Sequence, residues 1–183
     1  MRVPLSKPQP DIKRFMQVVR GEIVPDRPPL AELFLDIEIV RAIAKDYLNT
    51  PWVDNKPGNR QAEQAFFRQW MNVYYRMGYD FVRVGGGLPF TGKPKKTDDT
   101  APLSRGKRTW AEQGTGPIAS WADFEAYPWP RIENVDFSLL EFVSANLPEG
   151  MGLFLCPASG FLEIPLDTLL GYENLCYLLT DDP

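Results

Sequence analysis

Apolar positions along the chain recur with two different periods. Asp11 is suited to cap a helix start, and after it Ile12, Phe15, Met16 and Val19 follow at the i, i+3, i+4, i+7 spacing of one helical face, with Gly21 as a stop. "VPDRPP" (24–29) cannot continue a helix, and "LAELFL" (30–35) reads as a short buried strand. Asp36 stands at an N-cap position before a second helical stripe of Ile37, Val40, Ile43, Ala44 and Tyr47. The strongest period belongs to Ala62, Phe66, Trp70, Val73 and Met77, and Gly78 follows where a C-terminal glycine belongs.

"DFVRVGGG" (80–87) predicts a second strand ending in three glycines. Residues 88–118 hold no sustained period and many helix breakers, which predicts a long loop excursion of the functional or mobile kind. Beyond it the pattern gives a short helix at Ser120–Ala126, a helix over about Phe137–Leu147, and a third strand, "MGLFLC" (151–156). Two further helical stretches, about Leu162–Leu170 and Tyr172–Thr180, are split by Gly171. Strands separated by helices imply parallel pairing through right-handed crossovers. The chain closes on "TDDP", where Asp181 or Asp182 would cap a new helix and Pro183 would open it.

Composition narrows the class. With 44% hydrophobic and 13% aromatic residues over 183 positions, the chain suffices for one ordinary domain. A net charge of −4 gives no general reason to expect nucleic acid or an anionic membrane as partner. No apolar run reaches the roughly 18 residues of a spanning helix, and "MRVPLSKPQPDIKRF" lacks the apolar core of a signal peptide. A cytoplasmic protein is the expectation. Two cysteines make no disulfide framework, and the absence of histidine removes the commonest general base and zinc ligand.

Several stretches together resemble the uroporphyrinogen decarboxylase superfamily, whose members include the heme-pathway decarboxylase and corrinoid- or coenzyme-dependent methyltransferases. They are "RFMQVVRGEIVPDRPPLAELFLDIEI" (14–39), "ADFEAYPWP" (122–130) and "SGFLEIPLDTLLGYENLCYLLTDDP" (159–183). The resemblance implies an incomplete (β/α)₈ TIM-type barrel with an N-terminal helical extension, in one domain spanning 1–183 with 88–118 as its excursion. Such barrels need about 250 residues and place their sites at the C-terminal ends of the strands. Three of eight strands are expected here, hence a truncated barrel or a piece whose sheet a second chain closes.

The decarboxylases' arginine-rich first strand and the aspartate after their second have no counterpart in "LAELFLDIEI" and "FVRVGGG". Elimination therefore points to a methyltransferase moving a methyl group between a corrinoid and a thiol or similar carrier. Zinc and corrinoid would serve the full-length protein, with no metal ligand expected in this chain. A small-molecule substrate and a corrinoid protein are the implied partners. Decarboxylation of an acidic tetrapyrrole is the alternative enzyme, and a non-catalytic fragment needing a partner chain is the alternative of another class.

The candidate substrate-binding residues are Glu32, Asp36, Arg83, Gly86 and Glu163. Glu32 and Asp36 lie at or just beyond the first predicted strand, and Asp36 serves equally as a helix cap. Arg83, inside an apolar strand, needs a carboxylate partner, an anionic ligand or solvent. Gly86 permits close backbone approach to a ligand or simply a bend. Glu163 follows the third strand, and Cys156 at that strand's end is a small core residue or a nucleophile. Six cations in 93–108 against Asp98 and Asp99 would steer an anion or form a solvated loop. "GLPFTGKP" (87–94) imitates a phosphate-binding loop, but Pro94 stands where the magnesium-binding hydroxyl belongs and disfavours a helix start.

Overall fold

The computed structural model describes residues 4–100, 106–112, 114–157 and 160–181. They form a mixed α/β structure in two compact units, residues 1–85 with 136–156, and residues 86–135 with 157–183.

The first unit is organised by one helix and one strand. Helix α3 (Arg60–Met77) starts where the Asn59 side chain accepts the Ala62 N–H, and stops at Gly78, whose φ of 89° lies in the left-handed region. The chain then reverses into β1 (Phe81–Gly86). Along the strand Val82 and Val84 turn to the core, where they join Phe66, Trp70, Met71, Val73 and Tyr74 of α3. Helix α2 (Ile37–Ala42) and the π-helical turn after it (Ile43–Tyr47) add Val40 and Ala44, and α5 (Ser138–Ala145) adds Val143.

Strand β1 pairs with β4 (Gly152–Pro157). The Gly152 N–H donates to the Asp80 carbonyl, and Gly85 lies against the Cys156 carbonyl. The two starts are thus together and the two ends together, as the predicted parallel crossover requires. On the face away from α3, Phe81 meets Phe154 and also Phe15 of α1 (Ile12–Val19). Helix α1 is capped as expected, Asp11 accepting from the Arg14 N–H at 2.9 Å.

The predicted strand "LAELFL" is not formed: residues 30–35 carry no secondary structure. Glu32 accepts the Phe34 N–H, a donor that a ladder would need, and Phe34 is 69% exposed. Asp36 occupies the N-cap position of α2, yet its side chain makes no capping hydrogen bond.

In the second unit, the stretch read as structureless contains a hairpin. Strands β2 (Pro94–Asp98) and β3 (Lys107–Ala111) pair antiparallel, from Pro94 opposite Ala111 to Asp98 opposite Lys107. "PKKTD" has no apolar face to announce it. Charge pairs line the hairpin instead: Lys107 with Asp98 at 2.5 Å, Arg108 with Asp99 at 3.0 Å, and Lys95 with Glu112 at 3.6 Å. Helix α4 (Trp121–Ala126) is capped by Ser120. The Ser120 hydroxyl, first, and the Ala119 N–H hold the Asp123 carboxyl below its ordinary range.

A π-helical segment (Ile164–Leu169) and α6 (Tyr172–Asp181) follow β4, split by Gly171 at φ 80° as predicted. Asp181 is the last residue of α6, while Asp182, Pro183 and Arg105 lie outside the described residues. The unit's small core is Ile118, Tyr127 and Leu169. Gly116 brings two backbones together there, donating to the Leu170 carbonyl at 2.6 Å.

Two substitutions test these junctions. Asn59→Ala should cost about 1 kcal/mol, seen as a lower urea midpoint at unchanged slope. Gly116→Ala would drive a methyl group into the Leu169 carbonyl. Hydrogen exchange should show the Ile118 amide, bonded to Leu169, losing its protection.

Candidate functional site

Alternation along β1 places Arg83 on the face of Phe81, opposite Val82 and Val84. The strand's one ladder partner among the described residues is β4, so its other edge is open to side chains. Trp70 reaches that edge, donating its indole N–H to the Arg83 carbonyl at 3.2 Å. Phe34 approaches from the irregular 30–35 stretch, and the Arg83 guanidinium lies over its ring at 4.6 Å.

The guanidinium has an aromatic partner but no ionic one. Among the described residues no carboxylate comes within salt-bridge distance of Arg83, and its Nε is buried without a hydrogen-bond acceptor. Arg41 also leaves Nε unpartnered, but its guanidinium is tied to Asp54 at 2.6 Å. Of the three readings of Arg83, the internal ion pair is therefore not formed among the described residues.

A second polar atom nearby is equally isolated. Tyr74 is wholly buried, its ring 5.6 Å from that of Trp70, and its hydroxyl has no partner. Burial is the main reason that its pKa is pushed up to about 12, with the Glu32 and Tyr79 charges adding to the rise and Arg83 opposing it. Burial, then Glu32, raises Tyr79 as well. The charges of Glu32 and Arg83 thus both act on Tyr74, and that of Glu32 acts on Tyr79.

The other candidates stand apart from this cluster. Asp36 is exposed at the start of α2. Gly86 is exposed at the end of β1 and clusters with the second unit. Glu163, also in the second unit, is exposed and folds back to accept the Gly160 N–H at 2.6 Å. Cys156 is half-buried with a free thiol. In the basic stretch Lys95, Lys107 and Arg108 are each paired with a hairpin carboxylate. "GLPFTGKP" runs into strand β2, so the helix N-terminus that cradles phosphate is missing.

Sequence reasoning singled out Arg83 and Glu32 but did not name Tyr74. Its tyrosine character, in a helix otherwise filled by Phe, Trp, Val and Met at the core, was the available signal. Two clefts were also missed. One of about 430 Å³ lies at the start of β1, between Lys7, Arg14, Pro28 and Asp80, at the end opposite to that where barrel sites form. The other, about 380 Å³, is an apolar groove of the second unit lined by Ile118, Trp121, Phe124 and Leu178.

No family model, no curated protein and no solved structure matches this chain. No helix among the described residues is long and apolar enough to cross a membrane. Nor do three of Cys, Asp and Glu converge there as a zinc site would need, so no step through zinc is assigned to these residues.

The isolated Tyr74 hydroxyl sets an alkaline expectation. A phenol whose pKa rises on folding supports the fold fully below the unfolded value near 10, and that support disappears as pH climbs towards 12. Wild type should lose about 2 kcal/mol of stability by pH 11.5 relative to Tyr74→Phe. Urea unfolding at pH 9 and pH 11.5 checks this.

Proposed function

We propose that this chain is part of a cytoplasmic enzyme with a (β/α)₈ barrel like that of the uroporphyrinogen decarboxylase superfamily, and that Arg83 binds a carboxylate of its substrate. The resemblance of residues 14–39, 122–130 and 159–183 supports the family reading, and the parallel β1–β4 pair is compatible with it. The observation that carries the substrate reading is the half-buried Arg83 guanidinium, stacked on Phe34 with its Nε unpartnered. A desolvated cation without a counter-charge is costly, and a bound carboxylate relieves that cost.

Of the family's two chemistries we favour methyl transfer, with a corrinoid as methyl carrier and a small acid as the molecule held here. A tetrapyrrole bearing many carboxylates would ask for several free cations. In the basic stretch Lys95, Lys107 and Arg108 are paired with Glu112, Asp98 and Asp99, which leaves fewer cations for such a ligand. One unpaired guanidinium suits one carboxylate.

Titrations of the chain with butyrate and with uroporphyrin distinguish the readings. Butyrate should bind, and Arg83→Gln should weaken it roughly tenfold or more, since a hydrogen bond to a charged group is worth about 1.5–3 kcal/mol. Tight uroporphyrin binding that depends on Arg83 would turn the assignment to the decarboxylase. Butyrate binding indifferent to Arg83 would end the substrate reading.

A further inference from the structure

We propose that the cleft at the start of β1 binds a phosphorylated sugar, with Lys7 and Arg14 on the phosphate and Asp26 and Asp80 on the sugar hydroxyls. The cleft lies wholly within the first unit, and Arg83 is not among the residues that line it. The proposal is therefore independent of the carboxylate reading of Arg83.

The walls of this cleft, about 430 Å³ in volume, are held by the protein itself. The Leu5 N–H donates to the Arg76 carbonyl at 2.8 Å, and the Arg76 Nε donates back to the Leu5 carbonyl at 2.7 Å. The Tyr75 hydroxyl donates to the Pro8 carbonyl, so the stretch 5–8 is tied to the last turn of α3. Pro8 and Pro10 line the cleft from this stretch, and Pro28 and Pro29 line it from the next. Their rings fix φ, which lowers the ordering cost of binding. They also carry no N–H, so recognition of an anion falls to side chains.

The charges in the cleft select the ligand. Lys7, Arg14 and Arg27 line it together with Asp26 and Asp80. Among the described residues, Lys7 and Arg14 form no ion pair. Two uncommitted cations, one a planar fork and one a point charge, suit the two charges of a phosphate monoester better than the single charge of a carboxylate. Asp80 is fixed in place, accepting the Asp11 N–H through Oδ1 at 2.8 Å, and its second oxygen is left for a ligand. Two carboxylates repel a further anionic group on the ligand but accept from hydroxyls. With three cations lining the same cleft, neutral hydroxyls suit these carboxylates better than an ammonium group.

The test titrates glucose 6-phosphate, inorganic phosphate and glucose into the whole chain, following the Asp11 amide by NMR. The ester should bind saturably and about tenfold more tightly than inorganic phosphate, and glucose should not bind measurably. Lys7→Gln and Arg14→Gln should each weaken the ester about tenfold. Both side chains are exposed, so the urea midpoints should stay at the wild-type value. Asp26→Ala should narrow the preference for the ester over phosphate, and Arg83→Gln should leave ester binding unchanged.

Equal affinity of wild type for the ester and for inorganic phosphate overturns the sugar assignment. Ester binding indifferent to Lys7 and Arg14, or absent altogether, overturns the site. Ester binding lost in Arg83→Gln moves the phosphate away from this cleft and overturns it too. Failure of butyrate to bind ends the Arg83 reading and leaves this one standing.

Discussion

The contact between α3 and β1 governs the first unit. A helix of 18 residues brings a continuous apolar side, from Phe66 through Trp70 and Val73 to Tyr74, onto Val82 and Val84. Two paired strands alone make a marginal sheet, so the strand depends on what covers it. Gly78 makes the contact geometrically possible. Its left-handed backbone ends the helix and lets the chain return along its own apolar face within a few residues. Val40, Ala44, Val143 and Met151 then close the core around that seam.

The same contact creates the polar neighbourhood beside it. With Val82 and Val84 committed to α3, strand alternation sends Arg83 to the other face. Trp70 is held by the core and reaches the open strand edge, where it occupies the Arg83 carbonyl. Tyr74, one turn further along, carries a hydroxyl into a place with no acceptor for it. Packing decides the positions of these groups, and their unspent hydrogen-bonding capacity is the residue of that decision. Such violations of otherwise consistent local rules are where ligand contacts are expected.

Legibility in the sequence followed the strength of the local signal. Helices α1 and α3 were readable from their apolar periods, with Asp11 as the start of one and Gly78 as the stop of the other, and Asp11, Asn59 and Ser120 each accept a backbone N–H at a helix start. The stretch 30–35 misled because its apolar residues resemble a strand, while the Glu32 side chain diverts the Phe34 N–H and leaves the Phe34 ring to stack on a cation. The hairpin of β2 and β3 escaped notice for the opposite reason. Its strands pair through backbone and charge, with no apolar alternation to mark them.

The sequence by itself determined the mixed α/β class, the main helices with their starts and stops, and the oddity of an arginine inside an apolar strand. These follow from residues close together in the chain, where caps, glycines and periods act over a few positions. Only the tertiary structure decided that Arg83 has an aromatic neighbour and, among the described residues, no ionic one, that the Tyr74 hydroxyl is buried without a partner, and that Lys95, Lys107 and Arg108 pair with hairpin carboxylates. Charge pairing and burial are properties of distance in space. Phe34 and Trp70 meet Arg83 from distant parts of the chain, and no local pattern records that meeting.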